Sequence, residues 1–327
     1  MDQYINMQTR KKTVNQQEYY YLEETLRLEK PKVYSIFLGR RLPQKNQLKQ
    51  KKRELLDKIY ADLLGDASKI YLTKEQLIQI EKQRRQYLQR VKRLGKARQE
   101  EKEEIDAVNF VYTTLTTEGV PITKEDAGMA YRFAGKNIRD VRDENLKVAL
   151  DMLKGLRYVK DSEKGISGDF VLELHRTIMA EYKDKSPGKF RKKQAYIYLK
   201  SYGKAEEIRF RPPPPEKIEG MITGLVEWYN TNVGKLNAVE LAALLHLRIY
   251  MIHPFDDGNK RMSRLLLNKA FFDSGYPMLN ISKETQSYFD ALVASAEKKD
   301  DKPFVRFVLD QLGQYLKAGF RKGTSGS

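Results

Sequence analysis

Past residue 45, apolar side chains recur every three or four positions, the spacing that gathers them on one side of a helix. In QLKQKKRELLDKIYADLL, Leu48, Leu55, Ile59 and Leu63 share such a face. Leu77, Ile80, Leu88 and Val91 do the same in the next stretch, which opens on Thr73 as a capping residue with Gln76 three positions on. A third helix is predicted over roughly 99–118, stopped by Gly119 and Pro121. Others are predicted over 123–134, 142–158 and 169–183, the last capped by Ser167 or Asp169. Ile218, Met221, Ile222, Leu225 and Trp228 form a further stripe, with Trp228 read as core. NAVELAALLHLRIYMI is apolar almost all round and reads as the buried central helix. His246 within it, and His175 in LELHRTI, read as structural histidines.

Two stretches break this rhythm. Between residues 16 and 42, Tyr20, Leu22 and Thr25, then Val33, Tyr34, Ile36 and Phe37, suggest two strands joined by a turn at EKPK. Around SYGK, Tyr196, Tyr198, Arg209 and Phe210 suggest a second hairpin over about 193–210. Pro212 to Pro215 exclude regular structure and make a rigid lead into the next helix. The predicted fold class is therefore mainly α, with two short β-hairpins and no internal repeat.

Composition narrows the chemistry. The chain has no cysteine, which removes disulfides, thiolate catalysis and Cys-based zinc sites. No apolar run reaches the roughly 18 residues of a membrane span, and the N-terminus lacks a signal-peptide layout. The expected location is the cytoplasm, with no membrane partner. The net charge of +17 is uneven: residues 1–100 hold 24 Lys and Arg against 12 Asp and Glu. That surplus fits a nucleic-acid surface, a docking face for an acidic partner, or a solvated charged helix surface, and the last is favoured. The three adjacent tyrosines Tyr19 to Tyr21 are able to stack on bases but read first as packing.

The segment MIHPFDDGNKRMSR concentrates different chemistry. Pro254 ends the buried helix and a new helix starts near Asn259. The backbone N–H groups of Gly258, Asn259 and Lys260 then sit at a helix N-terminus, a preformed anion site. Arg261 and Arg264, three apart, share a helix face and suit a polyphosphate. Asp257 is placed to hold Mg²⁺ bridging phosphate oxygens, and His253 to accept a proton from an incoming hydroxyl. Phe255 is expected to point inward and anchor the loop.

HPFDDGNKRMSR resembles the signature of the Fic-domain family, HxFx[DE]GNGRxxR, and the likeness extends over roughly residues 100–315. PGKFR, residues 187–191, resembles the family's segment before its active-site flap, and RFRPPPPEKIEGMITGLVEWYN resembles its lead into the motif. The resemblance implies a Fic-type helical bundle and an adenylyltransferase that moves AMP from ATP to a Ser, Thr or Tyr hydroxyl of a target protein. It implies His253 as general base, Asp257 as Mg²⁺ ligand, and Gly258, Asn259, Lys260, Arg261 and Arg264 around the ATP phosphates. The target would align along the flap hairpin at about 193–210. Lys260 departs from the pattern, standing where the family has its second glycine. A lysine also occurs there in the death-on-curing branch, which transfers phosphate instead, so a Fic-type kinase is the alternative. A basic nucleic-acid-binding protein with a regulatory Fic domain is the non-enzymatic alternative.

TTLTTEG, residues 113–119, resembles the family's inhibitory signature [ST]xxxE[GN] through Thr114, Glu118 and Gly119. The resemblance implies an autoinhibited member in which Glu118 pairs with Arg264 at the γ-phosphate position. In some members the same glutamate also positions water to remove AMP, and many relatives form homodimers that tune inhibition. The expected division is 1–45 an N-terminal β-hairpin region, 46–98 a basic helical extension, 99–320 a Fic domain with its inhibitory helix at about 105–118, and 321–327 a linker-like tail.

Overall fold

The alternating N-terminal stretch forms three strands where its apolar pattern suggests two. The computed structural model describes residues 7–26, 31–64, 70–134, 143–200, 207–281 and 286–318. Strands β1 (Gln8–Val14), β2 (Gln17–Leu26) and β3 (Lys32–Gly39) make an antiparallel sheet in that order. Asn15 and Gln16 both have positive φ, as a two-residue type I′ hairpin turn requires. QTRKKTV carries no apolar alternation because every residue of β1 is exposed. Pairing to β2 alone makes it a strand. The inner face of the sheet buries Leu22, Leu26 and Tyr34 against Leu55 and Ile59 of helix α1 (Lys45–Leu63). Each such side chain taken out of water contributes about 1.5–3 kcal/mol. Asp62 of α1 accepts from the Tyr34 hydroxyl and, at 2.8 Å, from Lys32 Nζ, which fixes β3 to the helix. The EKPK turn, the SYGK turn and the tail at 321–327 lie wholly or partly outside the described residues.

The chain divides into two compact units, Met1–Ala67 with Lys74–Lys82, and Ser68–Thr73 with Gln83–Ser327. Helix α2 (Lys74–Lys92) starts directly after Thr73. The second unit continues with α3 (Lys96–Thr116), α4 (Lys124–Phe133), α5 (Glu144–Asp161) and α6 (Gly168–Ile178). The hairpin β4 (Ile197–Lys200) and β5 (Glu207–Phe210) follows, then α7 (Ile218–Asn232), α8 (Ala238–Ile252), α9 (Asn259–Asp273), α10 (Gln286–Lys298) and α11 (Lys302–Ala318). The fold is mainly α, as expected. Helix α6 stops at Ile178, five residues short of the predicted end.

Helix α8 is buried on all sides, packed against α9 with α7 and α11 beside it. Its start is capped by Asn237, whose side chain accepts from the Glu240 amide at 3.0 Å. Glu240, fully buried, accepts from the amides of Ile70, Tyr71 and Leu72 at 2.7–2.8 Å, so its charge is met by three donors. Within α7 the buried stripe is Ile218, Ile222, Leu225 and Tyr229. Trp228, expected in the core, is half-buried with the Arg248 guanidinium 3.7 Å over its ring, and Met221 is exposed. The basic run RRQYLQRVKR is partly internal. Arg84 Nη1 donates to the Gly275 carbonyl at 2.8 Å and Arg90 Nη2 to that of Leu316 at 2.5 Å, serving carbonyls at the ends of α9 and α11. Among the described residues no helix is long and apolar enough to cross a membrane.

Candidate active site

The site begins where α8 ends. His253 caps that helix in the left-handed region, φ 49° and ψ 59°. For a residue with a Cβ this costs roughly 1–2 kcal/mol, so its neighbours must hold it there. Arg191 does so, donating from Nε to the His253 carbonyl at 2.7 Å and from its backbone N–H to that of Pro254 at 2.9 Å. His253 Nδ1 lies 3.3 Å from the Tyr250 carbonyl, which can only accept. The proton therefore sits on Nδ1, and Nε2 keeps its lone pair. Burial lowers the His253 pKa to about 4, so the ring is neutral and competent as a base at neutral pH.

The loop behind it is pinned at both faces. Phe255 points inward, fully buried, and stacks on His175 at 3.6 Å with the rings nearly parallel. The Asn259 side chain accepts from the Phe255 amide at 3.1 Å and donates to its carbonyl at 2.9 Å. His175 Nδ1 accepts from the Gly188 amide at 2.9 Å, so Nε2 carries the proton and donates to the Asp257 carbonyl at 3.1 Å. His175 is structural, as the sequence suggests, but what it holds is the motif loop. Gly258 has φ +74°, and a Cβ there would meet Met179 Sδ at 2.7 Å. Only glycine fits.

Helix α9 starts at Asn259, with Gly258 as its N-cap. The Gly258 amide donates to Asp257 Oδ1 at 2.6 Å. Arg261 and Arg264 are both buried, but they face different partners. Glu118 forms its ion pair with Arg261 Nε, which corrects the expected pairing with Arg264. Arg264 Nη1 instead donates to the Ile281 carbonyl at 2.8 Å. The reason is rotation: three residues of helix turn the second arginine away by about 60°. Arg261 also lies 4.9 Å over the Tyr182 ring.

Glu118 sits just past the end of α3, in a turn completed by Gly119 at φ +80°. The Val120 amide donates to Leu115 O at 3.1 Å, and Asn145 Nδ2 to Pro121 O at 3.0 Å, fixing the turn from both sides. Burial raises the Glu118 pKa, and Arg261 opposes that shift. Thr114 is fully buried one turn earlier. Glu118, Gly119, Tyr182, His253, Asp256, Asp257, Asn259, Lys260 and Arg261 line one cavity of about 530 Å³.

Arg191 is the residue that sequence reading undervalued. Only 3 % exposed, it donates from Nη1 to Lys193 O at 2.8 Å and from Nη2 to Pro213 O at 2.5 Å, besides its bonds to the motif loop. It thus ties the segments on both sides of the β4–β5 hairpin to the backbone of His253. Its place within PGKFR was the available signal. For a metal, the described residues hold no cluster of three or more His, Asp or Glu. Asp257 with Asp256 beside it fits a hard cation that takes its remaining ligands from phosphate and water.

His253 and the glycine-led N-terminus of α9 thus line one cavity, the arrangement that the Fic-like signature leads one to expect. Residues 165–271 match the Fic/DOC family. The chain is 30 % identical over 207 residues to protein adenylyltransferase fic-1 of Caenorhabditis elegans, covering 61 % of this chain and 38 % of that protein. It is 36 % identical over 141 residues to protein adenylyltransferase Fic of Drosophila erecta, covering 43 % and 26 %. The chain therefore spans well under half the length of these relatives. A Fic domain containing signaling protein from Bacteroides thetaiotaomicron superposes with a TM-score of 0.62 at 27 % identity, over 74 % of this chain and 95 % of that one. Fic-1 from C. elegans superposes at 0.58 with 22 % identity, over 85 % and 77 %, and shows the shared fold.

Proposed function

We propose that this chain moves AMP from ATP onto a serine, threonine or tyrosine hydroxyl of a protein target and restrains itself through Glu118. One observation carries the reading: a single cavity joins the unprotonated face of His253 to a helix N-terminus whose Arg261 is occupied by a carboxylate. Relatives named protein adenylyltransferases support it. In the reaction the target hydroxyl gives its proton to His253 Nε2 as its oxygen attacks the α-phosphorus. The bond from that phosphorus to the α–β bridging oxygen breaks, and pyrophosphate leaves with the electron pair. The N-terminus of α9 with Lys260 and Arg261 grips the phosphates. Asp257 would hold Mg²⁺, which neutralises phosphate charge when bound. The target docks on the edge of the β4–β5 hairpin by strand addition. Glu118 occupies Arg261 and so keeps the phosphates from their productive seat; it is also the candidate to position water for AMP removal.

Lys260 on the cavity wall favours one second reading, phosphoryl transfer. Parallel incubations with α- and γ-labelled ATP separate the two. Protein label from the α position alone supports AMP transfer, and label from the γ position alone replaces it with kinase activity.

A further inference from the structure

The outer face of the N-terminal sheet carries chemistry that the transferase reading leaves unused. Register places Lys12 opposite Tyr19, Arg10 opposite Tyr21, and Tyr21 opposite Phe37. Directly paired residues share a face, so these five look away from the Leu22–Leu55 core. The Phe37 ring lies 5.8 Å from Tyr19 and 5.4 Å from Tyr21, and Phe37 is 53 % exposed. The Lys12 ammonium stands 5.1 Å over Tyr21 and the Arg40 guanidinium 5.8 Å over Tyr19. Glu23, itself buried, lies 2.5 Å from Lys12 Nζ and 3.8 Å from Arg10 Nε, which holds the two cations side by side.

We propose that this face docks duplex DNA through its major groove. Strands about 4.8 Å apart make three strands roughly 10 Å across, and the groove is about 12 Å wide. The β1–β2 hairpin ends in a two-residue turn and exposes all of β1, a slim ribbon able to enter that groove. Arg10, Lys12 and Arg40 then meet phosphates and base edges, while the phenols of Tyr19 and Tyr21 and the open Phe37 ring lie against the groove wall. Cations on an edge strand also prevent sheet-to-sheet pairing, but that purpose needs no exposed phenylalanine. A single strand would stack its bases on the rings. Lys12 and Arg40 already cover Tyr21 and Tyr19, so stacking would displace them, whereas the groove uses them where they stand.

The test is fluorescence anisotropy of the full chain with a labelled duplex of about 25 base pairs, its single strand, and polyglutamate, at roughly 50 to 200 mM salt. The expected result is duplex binding at micromolar concentration or tighter, with a log–log salt slope of about −3 for three neutralised phosphates. Arg10→Ala/Lys12→Ala/Arg40→Ala should weaken binding at least ~10-fold and flatten that slope. Should the triple variant misfold, Arg40→Ala alone should reduce the slope by about 1. The proposal is overturned by no duplex binding at the lowest salt, or by variants that bind as the parent does. It is equally overturned by a tighter complex with the single strand or polyglutamate, or by light scattering that shows the triple variant splitting a dimer. None of these readouts depends on transferase activity.

Discussion

Helix α9 carries two buried ion pairs that differ in how completely they are enclosed. Near its C-terminal end, Lys269 Nζ donates to Asp273 Oδ1 and to the Glu163 carbonyl, both at 2.6 Å. Asp273 Oδ2 accepts from the Tyr229 hydroxyl at 2.7 Å and the Gly165 amide at 3.1 Å. That pair is a lock joining α7, α9 and the segment before α6. Near the N-terminal end, Glu118 meets Arg261 on the wall of a cavity of about 530 Å³. Burial works against the Glu118 charge, and Arg261, followed by Lys260, opposes it. Several donors surround the Asp273 carboxylate and make that pair a structural lock, whereas the Glu118 pair opens onto a cavity and is the one we propose as a displaceable latch.

Breaking the lock should have the largest effect. Asp273→Ala leaves Lys269 buried without its carboxylate and should cost about 3–5 kcal/mol in urea unfolding. A loss under ~1 kcal/mol would deny the distinction. Opening the latch should act on function instead: Glu118→Gly should raise nucleotide transfer roughly 5- to 150-fold, the range of a 1–3 kcal/mol coupling. Its unfolding midpoint should stay near the parent's, and unchanged transfer would show that the carboxylate restrains nothing. Arg191→Met tests whether positioning is separable from binding. With the segments beside the β4–β5 hairpin and the His253 carbonyl released, transfer should fall about 10²-fold. Affinity for a non-hydrolysable ATP analogue should hold, and parallel loss of both would make Arg191 merely structural.

The smallest effect concerns His246, buried against Phe304 with both ring nitrogens lacking a hydrogen-bond partner among the described residues. Burial lowers its pKa to about 3. Because the folded value lies below the unfolded one near 6.5, the stabilisation is present above pH ~6.5 and fades as pH falls toward the folded value. His246→Phe should therefore shrink the stability difference between pH ~7 and ~5 by about 1–2 kcal/mol. An unchanged pH slope would mean that the ring is not kept neutral by the fold.

What the sequence made legible follows from how local each feature is. The motif loop is contiguous, so His253, Phe255, Asp257, Gly258 and the start of α9 could be read from spacing and helix-end chemistry. Helix α8 announced itself by being apolar on every side. The partner of Glu118 was misread because 143 residues separate it from Arg261. Choosing between two arginines three apart requires the rotation of α9 about its axis, which packing sets. Strand β1 was missed for the opposite reason: with no buried face it leaves no alternation, and only cross-strand pairing defines it. Trp228 and Tyr229 exchanged roles through a one-residue error in helical phase. Arg191 and His175 act through backbone carbonyls and amides of distant segments, and no residue pattern encodes such partners.

The account rests on a latch over a working base, and α-labelled ATP tests both at once. The parent chain, Glu118→Gly, and Glu118→Gly/His253→Ala should be incubated side by side and protein-bound label measured. The account predicts faint label in the parent, strong label in the single variant and none in the double variant, with all three still binding the nucleotide. Strong label in the double variant, or equal label in the parent and Glu118→Gly, would contradict it.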